Sequence, residues 1–148
     1  MAGAKAHTGQ LQLVVFELSS EQYGLPIEQV QEIIRYASPR HVSTSSAWIE
    51  GVINLRGKIV PVWSLASRLG VAAGEHRTSN IVIVESPEGT IGLIVDHVTE
   101  VLTIDAEQVE ATPSATDPAV SEIAKLDDRL VILLDPSTLV SDPYAAAA

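Results

Sequence analysis

The side chains able to do chemistry in this chain are few and scattered. Its four histidines, His7, His41, His76 and His97, include no pair at i and i+4, the spacing that puts two imidazoles on one helix face to hold a metal. Asp96 and His97 are adjacent, but neighbours along a strand point to opposite faces, so they do not make a joint ligand site. Cysteine is absent, which removes thiolate metal sites and disulfides together. No phosphate-binding glycine loop, dinucleotide fingerprint or nucleophile elbow occurs, and Asp127-Asp128 reads as a turn. Nothing pairs a nucleophile with a base. The residues predict no catalytic group, no metal and no cofactor.

The polar chemistry that does stand out is a corner. Between Trp48 and Leu65 two apolar runs flank Leu55-Arg56-Gly57-Lys58. Ile49, Ile53 and Leu55 fall on odd positions before it, and Ile59, Pro61, Trp63 and Leu65 do so after it. Val52, Val60 and Val62 occupy even positions, so both faces are largely covered. The pattern predicts two strands joined by a tight Arg-Gly or Gly-Lys turn, with Gly57 free to take a positive φ. Pro61 cannot donate to a ladder, which places its strand at an edge or at a bulge. An edge strand beside an exposed arginine is a docking surface; a buried hairpin with a solvated tip is the plainer alternative.

Around that corner the chain reads as short strands. Leu11 to Leu18 and Gln22 to Pro26 form a hairpin about Ser19-Ser20-Glu21. After Pro26, Ile27, Val30, Ile33 and Ile34 recur at helical spacing and predict a short amphipathic helix with Glu28, Gln31, Glu32 and Arg35 on its polar face. A Glu32–Arg35 pair on that face contributes only ~0.2–0.5 kcal/mol. Residues 36–47 read as a loop. Ser64 is a natural N-cap for a helix ending at Leu69, with Gly70 as its C-cap. Strands follow at 80–85, 90–96, with Gly92 marking a bulge or a close approach, and 99–104. Residues 105–119 read as an irregular connection, 129–135 as a last strand and 136–140 as a last short helix. The recurring strand, turn, strand and capped helix hints at two lobes. Turn signals every 8–12 residues predict a mostly β, barrel-like domain.

Composition agrees. The chain has 148 residues, 46% of them hydrophobic but only 4% aromatic, so Val, Ile and Leu must build the core, and they favour sheet. The termini, 1–10 and 141–148, are expected to be flexible tails on a single domain spanning 11–140. Met1 to Gln10 lacks an apolar signal core, and no apolar run approaches a membrane span, so a cytoplasmic protein is expected. The net charge of −10 repels phosphate backbones and excludes nucleic acid. Charge is uneven: residues 27–68 carry five basic against three acidic groups, whereas 78–124 carry nine acidic groups and no Lys or Arg. Such polarity orients partners.

Five segments then carry a resemblance. Tyr23-Gly-Leu-Pro-Ile27, Val30-Gln-Glu-Ile33, Gly51-Val-Ile-Asn-Leu-Arg-Gly57 with Ile59-Val-Pro-Val62, Ile91-Gly-Leu-Ile-Val-Asp96, and Leu126 to Asp135 follow one another with the spacing of the CheW-like family of bacterial chemotaxis coupling proteins. The chain resembles that family from about Leu11 to Val140. The resemblance implies two SH3-like five-stranded β-barrel lobes sharing one core, with a few short helices. It implies a non-catalytic adaptor linking the cytoplasmic tips of methyl-accepting chemoreceptors to the regulatory domain of the histidine kinase CheA, and recruited to membrane-associated receptor arrays. By position, Val30, Glu32, Gly51, Asn54, Arg56 and Gly57 match the receptor side, and Ile91 and Gly92 match a region of kinase coupling. Two departures are Ser64, where the family usually has Asp, and a proline-free stretch at 42–48. The same domain could serve a pilus-motility or other chemosensory pathway; the competing class is a barrel holding a small molecule. By the surface scaling law a chain of this mass exposes about 7,300 Å², and two standard patches of about 800 Å² take roughly a fifth of that. One small domain can therefore hold two partners at once.

Overall fold

The computed structural model describes residues 9–43, 47–72, 74, 79–112, 118–120 and 122–140. In chain order it runs β1 (Gln10–Leu18), β2 (Glu21–Pro26), a 3-10 turn (Ile27–Gln29), β3 (Val30–Arg35), β4 (Ile49–Leu55), β5 (Lys58–Ser64) and α1 (Leu65–Leu69). Then come β6 (Asn80–Ser86), β7 (Gly89–Val95), β8 (His97–Asp105), a 3-10 turn (Ala106–Gln108), β9 (Val109–Ala111), a 3-10 turn (Pro118–Val120), β10 (Glu122–Lys125), β11 (Leu130–Leu133) and α2 (Pro136–Val140). One sheet has the order β8-β1-β2-β11-β10-β9 and the other β3-β6-β7-β5-β4.

Each sheet closes by the same device. In the first, β8 pairs with β1 at one edge; the chain bends at the Ala106–Gln108 turn and continues as β9, which pairs with β10 at the other edge. In the second, β3 pairs with β6, and Arg40 then bridges Val52 of β4, its N–H and C=O both bonded at 2.8 and 2.9 Å. Counting each bent strand once, both are five-stranded SH3-like barrels. The hint of two lobes resolves into matching halves: β4-β5-α1 in one, β10-β11-α2 in the other.

Strand alternation builds three cores from the same strands. Successive side chains point to opposite faces. On β6, Ile81 and Ile83 fill one barrel with Ile53, Val60, Val62 and Ile94, while Val82 and Val84 face the other way. Those two join Ile91, Leu93 and Val95 of β7, Trp63 and Leu65, and Phe16, Leu18, Tyr23 and Leu25 from the first sheet. Leu13, Val15, Ile104, Ala124, Val131 and Leu133 fill the first barrel. The central cluster therefore belongs to both lobes.

The helices seal the junction. Ser64 caps α1, its hydroxyl accepting from the Ser67 N–H at 3.2 Å, and Gly70 ends it in the left-handed region. Arg68 is buried; its Nε donates to the Leu139 carbonyl of α2 at 3.3 Å, and its guanidinium lies 5.8 Å from the Trp48 ring centroid. Trp48 in turn packs on Trp63, with centroids 6.4 Å apart. At the strand that crosses from one lobe to the other, the Asp96 carboxylate accepts from the Ser19 and Gly74 N–H groups, both at 3.0 Å. His97 turns away to Glu17.

Several expectations need correction. Residues 27–34 do not form an amphipathic helix: three residues make a 3-10 turn and the rest is strand β3. Val30, Ile33 and Ile34 satisfy helical spacing by coincidence, whereas β branching and pairing to β6 favour the strand. The connection after Asp105 holds the short β9, too brief to leave a periodic signal. Gly92 sits in unbroken register with Ile83, so it marks close approach and no bulge. Gln10 already belongs to β1; the expected tails at 1–8 and 141–148, and residues 44–46 of the proline-free stretch, lie outside the described residues.

Leu93 is fully buried in the shared cluster. Leu93→Ala should cost about 3 kcal/mol and lower Tm by roughly 6–12 °C. Calorimetry should still show one transition; two separate transitions would mean that the cluster does not bind the lobes into a single folding unit.

Candidate functional site

The β4–β5 hairpin turns in two residues, Arg56 and Gly57, with Leu55 opposite Lys58. Their φ angles are +53° and +85°, the paired positive values of a type I′ turn, whose twist matches that of the flanking strands. The Asn54 Oδ1 locks the corner by accepting from the Gly57 N–H at 2.8 Å. Glycine takes such angles freely, but an arginine in the left-handed region costs roughly 1–2 kcal/mol. Arg56 bears that cost while its side chain is 75% exposed.

That side chain reaches across to β3. Nη2 of Arg56 bonds both carboxylate oxygens of Glu32, one of them at 2.6 Å. The hydrogen bond and charge of Glu32 lift the guanidinium above its ordinary pKa, so it stays charged throughout the range in which proteins fold. The expected Glu32–Arg35 pair gives way to this contact. Glu32 reaches it because β3 is a strand and pairs opposite Ile83 with a register shift after Val30. The pair ties the hairpin tip to the outer edge of the same barrel.

The other matched positions divide by role. Val30 is half-buried against the shared cluster, and Asn54 and Gly57 are exposed at the corner. Gly51 is buried, with φ +154°, and a Cβ there would lie 2.1 Å from the Arg40 carbonyl oxygen. It permits the bridge that closes the barrel, and a register shift beside it swings Glu50 out of the ladder. Ile91 is 4% exposed within the shared cluster, and Gly92 is buried with Ile81 Cγ2 2.8 Å from where its Cβ would stand. Neither lies at a surface. Near them, the half-buried Thr90 donates its hydroxyl to Glu85 and the exposed Lys58 donates its Nζ to Thr90 Oγ1, each at 3.0 Å.

Sequence reasoning missed the apolar rim. Ile33 beside Glu32 is 39% exposed and Ile59 beside the turn is 61% exposed. The alternation put Ile59 on the same face as Trp63 and Leu65, both buried, and so gave no sign of its exposure. Ile33 was hidden by the helical assignment. Both are exposed aliphatics on strands that carry the corner or its partner, Ile33 at the strand position next to Glu32 and Ile59 next to Lys58.

Comparison with known proteins bears on the chain as a whole. A family model described as CheW-like domain matches residues 12–143. The chemotaxis protein CheW of Klebsiella aerogenes is 32% identical over 140 residues, covering 91% of this chain and 84% of its own. That of Bacillus subtilis is 29% identical over 150 residues, covering 98% and 96%. Among solved structures, the scaffolding protein TtCheW from Thermoanaerobacter tengcongensis is similar at a TM-score of 0.83 and 41% identity, over 90% of this chain and 94% of that one.

Two substitutions separate scaffold from surface. Gly51→Ala should destabilise by at least about 2 kcal/mol, because the clash is with backbone. Arg56→Gly should leave denaturant stability unchanged or raise it by up to about 1 kcal/mol, by relieving the left-handed strain. A clear loss of stability in the second variant would show that the ion pair serves the fold.

Proposed function

The chain belongs to the CheW-like domain family, and from that premise we propose that its Arg56 corner is the receptor-facing site of a two-sided adaptor. The protein is a coupling adaptor of chemosensory signalling. Its partners on this reading are the cytoplasmic tips of methyl-accepting chemoreceptors and the regulatory domain of a CheA-type kinase, joined without catalysis, in the cytoplasm, at receptor arrays.

The observation that carries the site is the strained arginine. A residue that costs stability where Asn or Gly would not, with an exposed charged group held in one orientation, is explained by a contact outside the fold. Glu32 and Arg56 set the register of a docked receptor helix, and Val30 with Ile33 and Ile59 supplies aliphatic contact. Gly51 acts one step back, by fixing the strand that carries the corner. Ile91 and Gly92 support kinase coupling only by shaping β7, since their own side-chain positions are inside. Both barrel interiors are filled with aliphatic side chains, which favours this reading over a barrel that encloses a small molecule. Among the described residues, no helix is long and apolar enough to cross a membrane.

Arg56→Glu places two carboxylates face to face at the corner. It should abolish capture of a receptor signalling fragment while leaving Tm within about 2 °C, as for other exposed substitutions. Capture equal to that of the unaltered chain would remove Arg56 from the site.

A further inference from the structure

We propose that Asp96 and Asn80 are positioning residues of this adaptor: they fix the angle between its two lobes, and control of the kinase by the receptor passes through that angle. The assignment rests on the adaptor reading above and places neither residue in contact with a partner.

The second barrel is an insertion in the first. Strands β3 to β7, residues 30–95, lie between β2 and β8, which belong to the other sheet. The chain therefore crosses between lobes twice. The first crossing is the Ile27–Gln29 turn, which has no side-chain cap. The second is one residue long: β7 ends at Val95, β8 begins at His97, and Asp96 stands between them. The Arg56 corner is on the inserted lobe. Anything the other lobe contributes is oriented toward it through these crossings and the shared cluster.

Side-chain bonds gather at the second crossing. The Asp96 N–H donates to the Glu17 carbonyl of β1 at 3.0 Å. Its carboxylate accepts the Ser19 N–H of the first lobe with one oxygen and the Gly74 N–H of the inserted lobe with the other, each at 3.0 Å. Asn80 of β6, opposite Val95, holds the next residues. Its Oδ1 accepts from the Val98 N–H of β8 at 2.9 Å, and its Nδ2 donates to the Ile34 carbonyl of β3 at 3.3 Å. Each side chain thus bonds backbone from both lobes. Apolar contact in the shared cluster is non-directional, so it holds the lobes together without fixing their rotation. Hydrogen bonds weaken steeply off axis and do fix it.

Two local costs are borne for the Asp96 bonds. The β1–β2 hairpin turns through Ser19 and Ser20, at φ +53° and +68°, with Leu18 opposite Glu21. That is type I′ geometry without the Asn or Gly that favours it, and its Ser19 N–H meets a carboxylate 77 positions away. Gly74 bears the other cost: a Cβ there would lie 2.9 Å from Asp96 Oδ1, so glycine is what lets the loop reach the carboxylate. A strained turn and a glycine converging on one side chain mark a position that has to be held.

The test uses the full chain with a receptor signalling fragment and a CheA-type kinase. Asp96→Asn keeps the volume but turns an amide N–H toward a backbone N–H. It should leave capture of each partner separately unchanged and cut the receptor-dependent change in kinase activity at least about fivefold. Asn80→Leu, which removes both of its bonds, and Gly74→Ala, which only crowds the loop off the carboxylate, should show the same split. Adding Ser20→Gly to Asp96→Asn relieves the turn and should restore Tm without restoring control. Control kept by all three variants, or returning together with Tm, overturns the assignment. Residual dipolar couplings give a readout that needs no partner: both lobes of the unaltered chain should fit one alignment tensor, and those of Asp96→Asn should not. A single tensor in that variant overturns the pin while the adaptor reading stands. An unaltered chain that binds neither partner overturns that reading and the role in control with it, and the dipolar couplings still decide whether Asp96 sets the angle.

Discussion

Everything here depends on strands whose two faces are both buried. Val82 and Val84 look into the shared cluster while Ile81 and Ile83 look into a barrel. A one-residue slip of β6 would exchange those sets and unmake both cores at once. The register of the molecule is thereby set from inside, and turns and loops are left free to serve other ends. The low aromatic content fits this arrangement, because β-branched side chains pack both surfaces of a pleated strand without needing a polar outlet.

From that constraint follows the way the barrels close. Each has to bring one strand round from one edge to the other, and glycines give room for close approach where the barrels close or pack. At Gly51 the missing Cβ admits the Arg40 backbone; at Gly92 and Gly24 it admits aliphatic side chains of the barrel interior. Gly24 and Gly92 sit among buried neighbours, and Gly51 is itself buried beside the exposed Glu50. Their contribution is to the shape of the surface, and the contacts belong to others.

The candidate site has the opposite character. Arg56 is exposed, conformationally costly and paired with a group from another strand. An ion pair so open to water adds little to stability, since solvent and salt screen it. Its value is geometric: it holds a long side chain in one place.

The sequence by itself determined the hairpins, the capped helix after Ser64, the tight turn at Arg56-Gly57 and the β class. These rest on local physics: alternation, turn chemistry and caps act within a few residues. The family resemblance extended that to the two-lobed architecture and the adaptor role. Only the tertiary structure decided that residues 30–35 are a strand, because their partner β6 lies about fifty positions away and local spacing fitted a helix equally well. It alone joined Glu32 to Arg56 and put Ile91 and Gly92 indoors. Each of these is a relation between distant segments, fixed by register and burial that no window of the chain contains.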